Sequence, residues 1–309
     1  MAALPSSLTR WLPRPPFPFS APTVPGGVEV PARRPRAGSD YDTAWSRRYP
    51  ARLARAALVE AVARPAVAAL AKPERHGLDR LDRLASDGGP VIFAANHHSH
   101  VDTPLLVTSI PEPWRHRLFV GAAADYFFRT PVTSALSSLA LGAIPIERAK
   151  VGRRSADRAA GLLGDGWSML IFPEGGRSPD GWGQRFRGGA AYLALRCDVA
   201  VVPVHIAGTG RILRKGRKLP SPATARVTFG TPLVPGPGDD SRRLAAAIER
   251  AVAGLADEAT TDWWQARRRA HAGDSPALVG PDAPAWRRAW ALGDPDRRRT
   301  RQRRRWPEV

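Results

Sequence analysis

The sequence has one cysteine, few lysines and no secretory signal. Cys197 is the single cysteine among 309 residues, which excludes an intramolecular disulfide framework and is typical of a reducing compartment. No base motif adjoins it, so a small buried apolar role is favoured over that of a nucleophile. Prolines interrupt every apolar run near the N-terminus, and no small-residue cleavage site follows one, so the chain is expected to stay on the cytoplasmic side.

Positive charge is in excess. The 47 basic and 28 acidic residues give a net charge of +19, which implies an anionic partner such as a phospholipid surface, a nucleic acid or a phosphorylated substrate. Charge alone does not choose among them. The length suits one sizeable α/β domain with extensions. Abundant Arg, Ala, Gly and Pro with little Lys is typical of a GC-rich bacterial genome.

Both ends of the chain differ in composition from its middle. Residues 1–42 are rich in proline and arginine and predict an extended or disordered arm. Residues 260–309 form a basic tail in which tryptophans alternate with arginine clusters. Such a tail suits an anionic membrane interface or nucleic acid, and a disordered solubilising tail is the third interpretation.

Residues 43–72 predict an amphipathic helix. Arginines occupy one face of it, and apolar residues recur at helical spacing at Leu53, Ala54, Ala57, Leu58, Ala61 and Val62. Pro65 is expected to break or kink this helix. The stretch lacks the roughly 20 clean apolar residues that a membrane span requires. It is therefore either an interfacial helix, which its aromatic and arginine flanks favour, or an ordinary helix packed on the core.

The most informative stretch is Val91–Pro104. Residues 91–95 predict a buried strand, because they are apolar and follow the turn signal Gly88-Gly89-Pro90. A polar turn with three histidines comes next, and Pro104 suits the first turn of a following helix. Reactive groups at the exit of a strand are where open α/β sheets place their chemistry.

His97 and Asp102 are the candidate catalytic pair in this turn. An imidazole can act as a general base near neutral pH, and a carboxylate beside it can fix its tautomer. Alone the spacing is a weak signal, since Asp102 can instead be a helix cap beside a structural histidine. Three histidines cluster here, but no complementary Cys, Asp or Glu group has a familiar ligand spacing, so no metal site is predicted.

The context Asn-His-x-Ser-x-x-Asp-x-Pro resembles the first motif of glycerolipid acyltransferases of the 1-acylglycerol-3-phosphate type. Three further motifs of that family follow in order. Residues 141–148, Leu-Gly-Ala-Ile-Pro-Ile-Glu-Arg, resemble the second, which assigns a phosphate grip to Arg148, since arginine can hold a phosphate with paired hydrogen bonds. Residues 201–204, Val-Val-Pro-Val, resemble the fourth, in which Pro203 is associated with the acyl-chain or active-site wall.

The third motif is Phe-Pro-Glu-Gly-Gly-Arg-Ser at residues 172–178, where Gly176 replaces the family's usual threonine. That departure removes a hydroxyl and puts the acceptor in doubt. The resemblance implies that the residues of this motif bind the acceptor's phosphate and glycerol. The predicted substrate-binding residues are Arg148, Glu174, Gly175, Gly176, Arg177, Ser178 and Pro203.

The resemblance covers about residues 75–235, and implies a mixed α/β sheet flanked by helices within an acyltransferase domain at 73–259. Strands are predicted near residues 91–95, 119–123, 167–172, 199–206 and 226–230, and helices near 131–139, 153–164, 187–196 and 241–256.

The implied reaction moves an acyl group from acyl-CoA or acyl carrier protein to 1-acylglycerol-3-phosphate, without a further cofactor. An anionic membrane is the expected partner, with the protein peripheral on its cytoplasmic side. One alternative is an acyltransferase of the same fold with another lysophospholipid or a glycolipid as acceptor. The other is a non-enzymatic protein that binds an anionic membrane or nucleic acid, of which nucleic acid is less favoured.

Overall fold

The computed structural model describes residues 37–147, 153–178, 180–213, 219–284 and 286–288. Within them the chain forms one seven-stranded mixed sheet in the order β1-β7-β6-β2-β5-β3-β4. The strands are β1 (Glu74–His76), β2 (Ile92–Ala95), β3 (Leu118–Ala123), β4 (Ala143–Ile146), β5 (Ser168–Ile171), β6 (Val201–Ala207) and β7 (Arg226–Phe229). Most of the predicted arm at 1–42 lies outside the described residues.

Five strands of the sheet, from β6 to β4 in spatial order, run parallel. β7 is antiparallel to β6, and the short edge strand β1 is parallel to β7. β2 lies at the centre between β5 and β6. All four of its residues are buried, which explains its continuous apolar sequence, since a central parallel strand is covered on both faces.

Helices cover both faces of this sheet. On β2, Ile92 and Ala94 belong to one apolar cluster, and Phe93 and Ala95 belong to the other, as the alternation of side chains along a strand requires. The helices are α1 (Tyr49–Leu58), α2 (Arg64–Ala71), α3 (Asp82–Asp87), α4 (Asp102–Ser109), α5 (Glu112–Arg115), α6 (Ala124–Phe127), α7 (Pro131–Leu141), α8 (Arg153–Gly164), α9 (Gly189–Cys197), α10 (Thr209–Ile212), α11 (Ser241–Thr260) and α12 (Trp263–Ala272). The mixed sheet flanked by helices confirms the predicted fold class. The two edge strands, β1 and β4, were not predicted from the sequence.

The predicted helix at 43–72 is present, but Pro65 does not break it. A π-helical turn at Val59–Ala63 joins α1 to α2, and Pro65 lies in the first turn of α2. A proline inside a helix lacks the N–H and crowds the carbonyl one turn earlier, and a π turn just before it accommodates both effects. Val59 and Val67 are buried, whereas Tyr49 and Leu53 are exposed. One face of the helix therefore packs on the core and another faces solvent.

Part of the predicted tail at 260–309 is folded. α11 runs four residues further than the sequence indicates, to Thr260, and α12 packs against it through buried Ala266. An ion pair of 2.7 Å between Arg269 and Asp257 ties the two helices together. The interpretation of this region as disordered is thus wrong for α12. Across the described residues, no helix is long and apolar enough to cross a membrane.

Candidate active site

The polar turn that follows β2 is anchored to the neighbouring strand by Asn96. Its buried side-chain amide donates to the carbonyl of Ile206 at 2.9 Å and accepts from the N–H of Ile206 at 2.7 Å. The side chain thus satisfies both backbone groups of a β6 residue at a point where β2 has already ended. The turn consequently leaves the centre of the sheet at a fixed place.

His97 and Asp102 meet in this turn, with 2.9 Å between His97 Nδ1 and Asp102 Oδ2. Asp102 opens α4 and is fully buried. Its Oδ2 also accepts backbone N–H groups from His98 at 2.7 Å and Ser99 at 2.8 Å. The carboxylate therefore shapes the turn and orients the imidazole at once. The cap-like role and the histidine-orienting role, which were alternatives in the sequence, coexist.

Further contacts fix the ring and the backbone of His97. Its ring stacks on Phe172 with centroids 4.1 Å apart and planes inclined by 20°. Its backbone N–H donates to Glu174, and its carbonyl accepts from Ser178 at 2.8 Å. Because Nδ1 is bound to Asp102, Nε2 is the ring nitrogen left for the cavity that His97 lines. A neutral imidazole whose Nδ1–H points to a carboxylate presents a lone pair at Nε2.

Glu174 lies behind the histidine, and 2% of its surface is exposed. Its Oε1 accepts from the N–H of His97 at 2.9 Å and its Oε2 from the N–H of Gln184 at 3.1 Å. Burial raises its pKa to about 7, although these two hydrogen bonds oppose the shift. Both oxygens thus accept from backbone groups, and Glu174 does not line the cavity beside His97, so its side chain positions the two turns. Its contact with the acceptor stays a prediction.

Two other residues expected at the substrate lie elsewhere. Ser178 is buried, and its hydroxyl accepts from the N–H of Gly181 at 2.7 Å, so it stabilises its own loop. Pro203 lies in the interior of β6, against Gly230. Neither lines the cavity beside His97. Arg148 falls outside the described residues, but its neighbour Glu147 lines that cavity.

The cavity beside His97 has a volume of about 640 Å³ and two unlike walls. One wall is largely apolar and comes from β3, α6, α7 and β4. The other is polar and comes from the turn after β5 and the start of α9. Apolar lining residues are Val120, Ala122, Ala123, Phe127, Leu141 and Ile146, and polar-wall residues are Gly175, Gly176, Arg177, Gln184 and Arg187. The shape suits an amphiphile with an apolar chain and an anionic group.

The polar wall includes residues that sequence reasoning missed. Arg187 lines the cavity, and its guanidinium lies so close to Gly175 that a Cβ there would be 2.9 Å from Arg187 Cζ. Gly175 also has φ +72°, which an L side chain rarely adopts. The position of Arg187 just before Gly188-Gly189 and the N-terminus of α9 was the available signal.

On the apolar side, His100 was missed as well. It stacks on Tyr126 with centroids 5.4 Å apart, and both residues line the cavity. The described residues contain no group of three or more His, Cys, Asp or Glu side chains arranged to hold a metal. Of the three clustered histidines, His97 and His100 line the cavity and His98 does not; desolvation lowers the pKa of His98.

The mixed sheet agrees with the fold that the resemblance to glycerolipid acyltransferases implies, and its central strand leads to the turn in which the His–Asp pair lies beside the cavity. Residues 72–207 match the family model described as Acyltransferase. The match lies almost entirely inside the predicted domain at 73–259 and contains the His–Asp pair and the loop of Glu174.

Relatives with assigned activities agree with this class. The chain is 32% identical over 142 residues to the chloroplastic 1-acyl-sn-glycerol-3-phosphate acyltransferase of Arabidopsis thaliana, covering 45% of this chain and 38% of that protein. It is 30% identical over 179 residues to the corresponding Chlamydomonas reinhardtii enzyme, covering 56% of this chain and 50% of that protein. The matches thus span about half or less of these two relatives.

Among solved structures, the fold resembles the 1-acyl-sn-glycerophosphate acyltransferase PlsC from Thermotoga maritima. The TM-score is 0.51 at 24% sequence identity, over 65% of this chain and 78% of that one. At this identity the likeness establishes the fold and leaves the substrate to be argued from the site.

Proposed function

We propose that this protein transfers a fatty acyl group to the free hydroxyl of 1-acylglycerol-3-phosphate, which yields phosphatidic acid for phospholipid synthesis. The donor is an acyl thioester, either of coenzyme A or of acyl carrier protein. The observation that carries the proposal is the His97–Asp102 pair at 2.9 Å on the wall of a cavity that is apolar on one side and lined by arginines on the other. The relatives' names supply the acceptor, since they are 1-acyl-sn-glycerol-3-phosphate acyltransferases.

The reaction follows from the free ring nitrogen. Nε2 of His97 takes the proton of the acceptor hydroxyl as its oxygen attacks the thioester carbonyl carbon. The C–S bond then breaks, and the imidazolium returns the proton to the leaving thiolate. Asp102 stabilises the imidazolium in between. No acyl-enzyme is formed, so Cys197, which lies in α9 outside the cavity lining, takes no part.

Each wall of the cavity binds a different part of the substrates. The acyl chain lies along β3 and β4, where apolar burial favours it by roughly 0.8 kcal/mol per methylene. The acceptor's phosphate meets Arg177 and Arg187, with Arg148 as a third ligand from the family resemblance. Arg177 has no ion-pair partner in the described part of the chain, which leaves its guanidinium available for bidentate contact with a phosphate.

The partner surface in this proposal is an anionic membrane, which the protein meets peripherally on its cytoplasmic side. Exposed apolar side chains on α1 (Tyr49 and Leu53) and α12 (Trp263 and Trp264) lie beside many arginines, a combination suited to a lipid headgroup region. Nucleic acid is less favoured, because an arranged catalytic pair with an amphiphilic cavity has no purpose in such binding.

Free-thiol release from oleoyl-CoA, with phosphatidic acid measured in the same samples, tests the proposal. Wild type should release thiol only when 1-acylglycerol-3-phosphate is added, and His97→Ala should lower the rate by about 100 to 10,000-fold. His76→Ala, in the half-exposed edge strand β1, is the matched histidine control and should retain full activity. Full activity of His97→Ala would refute the mechanism.

The choice of acceptor needs a second arm. Other lysophospholipids and glycolipid acceptors are compared under the same conditions, with acyl-CoA or acyl carrier protein as donor. A higher kcat/KM for an acceptor without a phosphate monoester would move the assignment to another acyltransferase of this fold. Salt-sensitive DNA binding with no transfer to any acceptor would favour a binding protein.

A further inference from the structure

The loop that supports the catalytic turn is covered by a segment far from it in sequence and outside the matched family region. We propose that the C-terminal strap, defined as residues 277–284 and 286–288, positions the 180–186 loop and through it Glu174 and Arg177 for acceptor binding. Arg288 and Gly280 are its main positioning residues. The expected change in acceptor kinetics rests on the proposed function, whereas the ordering of the 180–186 loop by the strap rests on geometry alone.

An ion pair fixes one end of the contact. Arg288 Nε lies 2.7 Å from Asp180 Oδ2, and Arg288 Nη1 donates to the carbonyl of Pro281 at 3.0 Å. Both side chains of the pair are less than a third exposed. Burial raises the pKa of Asp180, but the hydrogen bonds from Arg288 and Trp182 outweigh it and hold the pKa below its usual value. The pair therefore stabilises the strap on the loop.

Trp182 is the centre of the contact. Its indole N–H donates to the carbonyl of Arg288 at 2.9 Å, and its ring lies against Gly280. A Cβ on Gly280 would be 2.3 Å from Trp182 Cδ2, and Gly280 has φ +72°. A glycine is therefore required at this position on both counts. The next residue, Gly183, donates its N–H to the carbonyl of Leu278 at 2.9 Å.

The loop in turn reaches the catalytic histidine in two steps. Gln184 donates its N–H to Glu174 Oε2 at 3.1 Å and its side-chain amide to the carbonyl of Gly176 at 3.1 Å. Glu174 Oε1 accepts the N–H of His97. Arg177 lies between these anchored residues and lines the cavity. Release of the strap should thus loosen the turn that holds the acceptor's phosphate ligand.

This arrangement predicts an effect on one substrate more than the other. The polar wall that carries Arg177 and Gln184 belongs to the supported turn. Among the described residues, the hydrogen bonds of the strap go to the 180–186 loop or stay within the strap, and none goes to β3 or β4. Loosening the strap should therefore weaken binding of the anionic acceptor and spare the acyl chain. A general loss of folding would lower both equally.

Two variants of the full chain test the strap. Arg288→Glu places a second carboxylate beside Asp180, and Gly280→Ala pushes the Trp182 ring away. Each should lower kcat/KM for 1-acylglycerol-3-phosphate about tenfold, since small displacements of positioning groups cost rates of this order or more. The KM for oleoyl-CoA should change less than about twofold in the same assay. Arg287→Glu, the same charge change one residue away on an exposed side chain that stacks on Trp286, should behave as wild type.

Hydrogen exchange gives a readout that does not need activity. The amides of residues 180–186 should exchange at least about tenfold faster in Arg288→Glu and Gly280→Ala than in wild type or Arg287→Glu. The exchanged pair Asp180→Arg with Arg288→Asp should restore slow exchange and acceptor kinetics. Unchanged exchange in both variants, or faster exchange with unaltered acceptor kinetics, would overturn the proposal. If wild type transferred nothing to any acceptor, the proposed function would fail, while the exchange comparison would still decide whether the strap orders the loop.

Discussion

The two turns that meet at the cavity each contain a buried carboxylate, and the two carboxylates act differently. Asp102 uses one oxygen for the imidazole of His97 and two backbone N–H groups. Glu174 uses both oxygens for backbone N–H groups, one of them that of His97 itself. Asp102 therefore orients the imidazole and fixes its tautomer, and Glu174 fixes where the backbone of the histidine lies. Burial of a motif carboxylate does not by itself reveal which of these tasks it performs.

The largest expected effect separates the two tasks at Asp102. Asp102→Asn keeps the side-chain shape, and its amide oxygen can accept the three hydrogen bonds that Oδ2 accepts, but the substitution removes the negative charge that stabilises the imidazolium. We expect kcat to fall about 100 to 10,000-fold, the range that general-base catalysis contributes. Steady-state transfer assays measure this. Asp87→Asn, at the exposed end of α3, is the control, and a fall of less than tenfold in Asp102→Asn would contradict the role.

A smaller effect is expected when Arg177 of the third motif, the proposed ligand of the acceptor's phosphate, is replaced. Arg177→Ala removes a charged donor that lines the cavity, and a hydrogen bond to a charged group contributes about 1.5–3 kcal/mol. The kcat/KM for 1-acylglycerol-3-phosphate should fall about 10 to 100-fold, and that for an uncharged glycerolipid acceptor should not. Arg185→Ala, exposed in the same loop and absent from the cavity lining, should leave both values unchanged. Equal losses for both acceptors would exclude a phosphate contact.

Titration of the Glu174 carboxylate should make the free energy of unfolding depend on pH. The pKa of Glu174 is raised from 4.5 to about 7, so between these pH values the folded protein keeps a proton that the unfolded chain has released. Its contribution to stability is therefore full below pH 4.5 and is lost as the pH rises through about 7, by up to about 1.4 kcal/mol per pH unit.

Urea unfolding of wild type and Glu174→Gln at several pH values measures that difference. The free energy of unfolding of wild type should decrease relative to Glu174→Gln as the pH rises from 4.5 to 7, since other groups titrate alike in both. The same variant should lower kcat about tenfold, because its NH₂ group cannot accept a backbone N–H. Parallel curves for the two proteins would show that Glu174 titrates normally.

The sequence was most informative where the chemistry is local. His97 and Asp102 are five residues apart, so a strand followed by a turn was enough to predict that they meet. The motif at 172–178 was found by its resemblance to the third family motif, and the continuous apolar strand before it indicated its place in the fold. The roles within it were harder to predict. The partners of Glu174 are backbone groups of residues 97 and 184, and a side-chain pattern carries no information about them.

Long-range packing explains the remaining differences. Pro65 was expected to break or kink its helix, but the π turn before it and the buried side chains of Val59 and Val67 keep the helix continuous. The C-terminal region was assigned to a tail because its composition is basic and rich in tryptophan. Its contact with α11 depends on Arg269, and its contacts with the 180–186 loop depend on Gly280 and Arg288, which periodicity does not single out.

The most direct test of the central claim asks whether the acyl group passes straight from donor to acceptor. The full chain is incubated with oleoyl-CoA, with and without 1-acylglycerol-3-phosphate, and free thiol and intact-protein mass are measured in the same samples. The account predicts thiol release only with acceptor and no acyl group on the protein at any time. Stoichiometric release without acceptor, accompanied by an acyl group on the protein, would show a covalent intermediate and contradict general-base catalysis by His97 on the acceptor hydroxyl.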